Sequence, residues 1–147
     1  IATPGHTLDM LNYYLPKAGI VFAGDTLFAM GCGRVFEGTH AMMWNSLTKL
    51  MALPAETTVY CGHEYTLSNG RFALTVDGDN PDLAARMEEV EKLRAAGRPT
   101  VPTVMSLELA TNPFLRAGDP KIRARLGMEN ASDAEVFGEL RERKNRG

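Results

Sequence analysis

The sequence predicts an α/β unit followed by a helical part, on three observations. The first 63 residues carry three short runs rich in β-branched and aromatic side chains, with a helical pattern between the second and third. From Asn80 onward the spacing and punctuation are helical. Three segments, Thr3-Pro4-Gly5-His6-Thr7, Ala23-Gly24-Asp25-Thr26-Leu27-Phe28 and Tyr60-Cys61-Gly62-His63-Glu64-Tyr65, each place a glycine and then a potential metal ligand after an apolar run. Strand exits are where α/β folds commonly build their sites.

The elements follow in order. Leu8 to Leu15 alternates in part and holds Tyr13 and Tyr14, Gly19 to Ala23 contains Ile20, Val21 and Phe22, and Thr57 to Cys61 is a third such run. All three read as strands. Between the last two, Ala41 to Leu53 places Met43, Leu47, Leu50 and Met51 at helical spacing and stops before Pro54. Asn80 as N-cap and Pro81 at the first helical position open a second helix, with Leu83, Met87, Val90 and Leu93 on one face before Gly97 and Pro99 end it. Ser132 and Glu135 form a capping box for a last helix carrying Val136, Phe137 and Leu140. The basic tail Arg141 to Arg146 reads as a solvated, frayed end.

Composition narrows the function. With 44% apolar and 23% charged residues over 147, the chain has the make-up of one ordinary folded unit. A net charge of −2 supplies no general field for nucleic acid, so an anionic partner must meet a local group of Arg or Lys. No apolar stretch reaches the roughly 18 to 20 residues that span a bilayer, so no membrane role is expected. Two cysteines, Cys32 and Cys61, each followed by glycine, fit a reducing compartment and a cytoplasmic protein better than a disulfide framework. The chain opens at Ile1, five residues before the first candidate ligand, and part of the site is expected upstream of it.

Singly the ligand candidates are weak, since a histidine after a glycine is usually structural and an aspartate after a strand is often a cap. Their conjunction at successive strand exits gives them weight. His40 lacks that setting and reads as a cap or surface residue. Two imidazoles and one carboxylate with open positions suit a cation that brings the pKa of bound water to about 7. Asp25 alone among the candidates can bridge two cations, one on each oxygen.

The order PGHT, then FAGDTLF followed by GCGR, then VYCGHEYT, then a helical tail with TNPFLR, resembles the C-terminal half of glyoxalase II, the hydroxyacylglutathione hydrolases of the metallo-β-lactamase superfamily. The resemblance implies half of an αββα sandwich, residues 1–66, followed by a C-terminal helical, glutathione-binding domain, residues 67–147. It implies two divalent metal ions, zinc first, with iron or manganese as alternatives, and an HxHxDH motif that supplies four further ligands and is absent from these residues. By matching motif, His6 binds one metal, Asp25 bridges both and takes part in catalysis, and His63 binds the other. Arg34, Phe36 and Tyr65 contact the substrate, with Phe36 standing where some relatives carry Tyr. Arg116 and Lys121 reach a glutathione carboxylate from the tail.

The implied reaction is hydrolysis of S-D-lactoylglutathione to D-lactate and glutathione by a monomer. A guanidinium pairs with a carboxylate through two hydrogen bonds, which suits a substrate with two carboxylates. A thiolate leaving group with a conjugate-acid pKa of about 8.5 to 9 needs no general acid. Two alternatives stand beside it. One is a single-iron, persulfide dioxygenase-like member of the same superfamily, whose relatives lack the NPFLR tail. The other is a non-catalytic, truncated module. These 147 residues alone are expected to be inactive and to expose the apolar faces of Leu8 to Leu15 and Gly19 to Ala23.

Overall fold

The computed structural model describes residues 1–147. Its α/β part holds β1 (Tyr13–Leu15), β2 (Ile20–Gly24), a hairpin of β3 (Leu27–Phe28) and β4 (Gly31–Cys32), α1 (His40–Met51) and β5 (Thr58–Cys61). Then come α2 (Thr66–Asp77), α3 (Pro81–Ala95), β6 (Thr103–Val104), α4 (Met105–Thr111), a 3₁₀ turn (Pro113–Leu115), α5 (Pro120–Leu126) and α6 (Asp133–Arg146). No helix is long and apolar enough to cross a membrane.

The main sheet runs β1-β2-β5-β6. β2 and β5 are parallel, with Val21 opposite Val59, and α1 makes the crossover that parallel neighbours require. One sheet face is dry: Val21, Ala23 and Val59 pack with Met43, Leu47 and Leu50 of α1 and with Phe114, Phe137 and Leu140. The opposite face is bare. Tyr13 is 65% exposed and Phe22 44%, and the Phe22 and Tyr60 rings stack in the open at 5.4 Å. That outcome matches the expectation of exposed apolar faces, Leu8 and Leu11 included.

Strand two, strand five and helices α1, α3 and α6 match the sequence reading to within a few residues, α2 has no counterpart there, and Ser132 and Glu135 form the capping box. Two expectations are corrected. Leu8 to Leu15 is a strand only from Tyr13, because the preceding residues turn back and Ala2 bridges Leu11. The tail does not fray: α6 continues to Arg146, with Arg141 buried and its Nη1 donating to the Cys32 carbonyl at 2.6 Å. A guanidinium over the Phe114 ring, 5.1 Å from its centroid, adds a cation–π contact that holds the helix end down.

Glu64, between two site residues, ties the α3–β6 connection to the exit of β5. Its carboxylate accepts from the Thr100 N–H at 2.6 Å and the Thr100 hydroxyl at 2.7 Å. Burial raises its pKa, but the Thr100 and Thr66 hydrogen bonds outweigh burial and hold it below the usual 4.5. A folded-state pKa below the unfolded one gives stability that is present above about pH 4.5 and lost as pH falls through the folded value. Glu64→Gln is therefore expected to lower stability by about 1 kcal/mol at pH 7. Melting curves should show the gap to the parent narrowing as pH falls below about 4.5.

Candidate metal centre

The site lies where β2 and β5 end side by side. Gly24 adopts φ +50°, at a break in the β2–β5 register, and turns the chain so that Asp25 faces the next strand exit. Gly62 must be glycine for a different reason: a Cβ there would lie 2.6 Å from Asp25 Oδ1. The two glycines thus make room for the carboxylate between the histidines.

Asp25 is flanked on both oxygens. His6 Nε2 is 3.5 Å from Oδ2, and His63 Nε2 is 3.2 Å from Oδ1. His6 Nδ1 lies 2.8 Å from the Arg34 carbonyl, which can only accept, so Nδ1 carries hydrogen and donates. In the neutral ring the Nε2 lone pair then faces a carboxylate oxygen. Two acceptors so placed require a proton or a cation between them, and this donor set of two nitrogens and a carboxylate fits a divalent metal. No three His, Cys, Asp or Glu side chains close on a single point as a complete cation site. The arrangement is two pairs sharing Asp25.

Aromatic rings fix the imidazoles. Tyr65 stacks on His63 with centroids 4.8 Å apart and planes at 13°, Phe28 meets both edge-on, and Phe36 tilts against His6 at 5.1 Å. The donors open into a cleft of about 360 Å³ that is also lined by Arg34, Ser68, Asn69, Arg141 and Lys144. Arg34 and Lys144 have no carboxylate partner within 4 Å. Burial, then the neighbouring Arg141 and Arg34 charges, push the Lys144 ammonium below its usual pKa. Crowded cations with no internal acid mark a place for an anion.

The structure brings His6, Asp25, His63, Arg34, Phe36 and Tyr65 into one cleft, and leaves two expected residues outside it. Arg116 points instead to Asp77, with Nε 3.1 Å from Oδ2, and to Asp119, with Nη2 3.0 Å from Oδ2. Phe114 of the same segment is drawn fully into the core. Lys121, in the first turn of α5, lies beside Asp79 and Asp119. His40 is not the cap of α1, a role Thr39 fills, but pairs half-buried with Glu142 at 3.2 Å. Sequence reasoning missed Arg141 and Lys144. The signal was their three-residue separation, which puts both on one face of α6.

Residues 1–63 match the metallo-beta-lactamase superfamily, and that class is what the two-sided aspartate at adjoining strand exits defines. Residues 64–147 match the family described as hydroxyacylglutathione hydrolase C-terminus. The chain belongs to the hydroxyacylglutathione hydrolase family. It is 59% identical over 145 residues to the hydroxyacylglutathione hydrolase of Brucella ovis, covering 99% of this chain and 56% of that protein. Among solved structures it is similar to ETHE1 from Myxococcus xanthus, with a TM-score of 0.58, 28% identity, and coverage of 99% of this chain and 44% of that one. It is also similar to TTHA1623 in a di-iron-bound form, with a TM-score of 0.51, 26% identity, and coverage of 78% and 41% respectively.

Proposed function

We propose that, in the intact protein, this chain supplies half of a two-metal site that hydrolyses glutathione thioesters, S-D-lactoylglutathione first among them, to the hydroxy acid and glutathione. The observation that carries the reading is Asp25 held between two imidazoles in a cleft that is also lined by Arg34 and Lys144, neither paired with a carboxylate. Residues 1–66 belong to the metal-bearing sandwich and residues 67–147 form the glutathione-binding domain. His6 would hold one divalent ion and His63 the other, with Asp25 available to both. Such ions supply hydroxide at neutral pH and polarise the acyl carbonyl. Zinc suits the donors, and the di-iron form of TTHA1623 supports a two-ion count. The residues that precede this segment in longer relatives add the remaining donors and cover the bare sheet face.

Each side chain has a part. Arg34 and Lys144 bind the two carboxylates of the tripeptide, which sets the acyl carbon over Asp25. Tyr65 and Phe28 wall the thioester sulfur from water and keep the His63 ring in plane. The departing glutathione thiolate is stable enough to leave unprotonated, so the site works without a further acid.

The test is the split between kinetic constants. Lys144→Ala in the intact, metal-loaded protein is expected to raise KM for S-D-lactoylglutathione about tenfold and to change kcat less than about threefold, because a remote carboxylate contact binds ground and transition states alike. A fall in kcat at constant KM would count against the role given to Lys144.

A further inference from the structure

The β3–β4 hairpin touches all three candidate ligands. Asp25 lies two residues before it, the Arg34 carbonyl that orients His6 lies two residues after it, and its Phe28 ring packs edge-on against His63 at 5.9 Å. With two residues per strand, the hairpin has little backbone pairing of its own. Its turn is also unfavourable, since Met30 is a non-glycine residue at φ +56°.

Side chains from the helical part take up the backbone of that turn. The Met30 N–H donates to Glu108 Oε1 at 2.8 Å. The Asn112 amide nitrogen lies 3.3 Å from the Phe28 carbonyl and 3.0 Å from that of Gly31, and the Asn69 amide is 3.2 Å from the carbonyl of Ala29. Glu108 and Asn112 are fully buried, one helical turn apart, and 3.1 Å from each other. Glu108 is fixed in turn by Arg86 at 2.7 Å and the Thr103 hydroxyl at 2.6 Å. Neither Glu108 nor Asn112 lines the cleft, and no substrate contact explains a carboxylate and an amide at zero exposure.

We infer that Glu108 and Asn112 are positioning residues for the metal ligands: they hold the β3–β4 turn in its strained conformation and thereby set Asp25, His6 and His63. The helical part then does more than meet substrate. It also fixes the geometry of donors that lie far earlier in the chain. This rests on the reading of His6, Asp25 and His63 as metal ligands, because without a metal the hairpin positions nothing that reacts.

The test is zinc affinity of the intact protein, measured by competition with a chromophoric chelator well below the melting temperature, with metal-free melting recorded for every variant. Asn112→Ser retains an oxygen to cap the following 3₁₀ turn, where Asn112 Oδ1 now accepts from the Phe114 N–H, but cannot reach the hairpin carbonyls. It is expected to weaken zinc binding about tenfold, the size of a lost supporting contact behind a ligand. Ile122→Ala, which destabilises the buried core without removing a hydrogen bond to the hairpin, is expected to leave zinc affinity unchanged. Parent-like affinity in Asn112→Ser, or equal weakening in both variants, overturns the positioning role while leaving the metal reading intact. Equal zinc affinity in the parent and in Asp25→Ala overturns the metal reading and this inference with it. Should Asn112→Ser fail to fold, Asn69→Ala releases the same turn at one carbonyl. A roughly threefold weakening there supports the inference, and none refutes it.

Discussion

Asp25→Ala in the intact protein is expected to reduce bound divalent metal from two ions per chain to one or none and to lower kcat/KM at least ~10³-fold, about 4 kcal/mol of transition-state stabilisation. The magnitude follows from position. Asp25 is the one carboxylate between His6 and His63, 3.5 and 3.2 Å from their Nε2 atoms, so its loss empties the midpoint of the site and, on the proposed reading, would strip both ions of a shared donor. Neighbours cannot replace it, since no other Asp or Glu lines the cleft. His6→Ala and His63→Ala should each remove one donor and act more mildly. Elemental analysis beside steady-state kinetics checks the pair of results, and a variant that kept two ions and parent-like turnover would remove Asp25 from the centre.

Phe114→Ala is expected to destabilise the chain by about 3–5 kcal/mol. That is a large part of the roughly 5–15 kcal/mol that holds a domain together. Phe114 is fully buried and stacks with Phe72 at 5.8 Å, meets Phe137 at 6.1 Å, and carries the Arg141 guanidinium over its face. Removing the ring opens a cavity where α2, α6 and the 3₁₀ turn join, and it releases the residue that anchors the end of α6. Thermal unfolding should show the midpoint falling by about 10 °C or more. KM should rise as well, because Lys144 rides on the same helix. A shift of a degree or two would mean that the helical part does not pivot on this ring.

These two residues show what was legible in the sequence and what was not. Asp25 could be read because a strand, a glycine and a carboxylate in succession have few other purposes beside two similar junctions. β2, β5, α1, α3 and α6 could be read because apolar periodicity and capping residues are local. The hairpin of β3 and β4 could not, since two-residue strands carry no period, and its shape is imposed by Glu108 and Asn112 from the far end of the chain. α2 was silent for a related reason. It buries Thr66, Asn69, Gly70 and Asp77 with its apolar residues, so no apolar stripe announces it. NPFLR was informative as a family signature and misleading as chemistry, because its arginine turns to Asp77 while its phenylalanine holds the core. The basic tail misled in the opposite direction. A run of Arg and Lys at a helix end usually faces water, and only the packing of Arg141 on Phe114 and Cys32 brings Lys144 to the cleft.

The most direct measurement is hydrolysis of S-D-lactoylglutathione by the intact, metal-loaded protein, with D-lactate and free thiol quantified together. Equimolar release of both at an enzyme-like rate, abolished by a chelator and restored by zinc, is the predicted result. Two bound ions with no thioester turnover would contradict it.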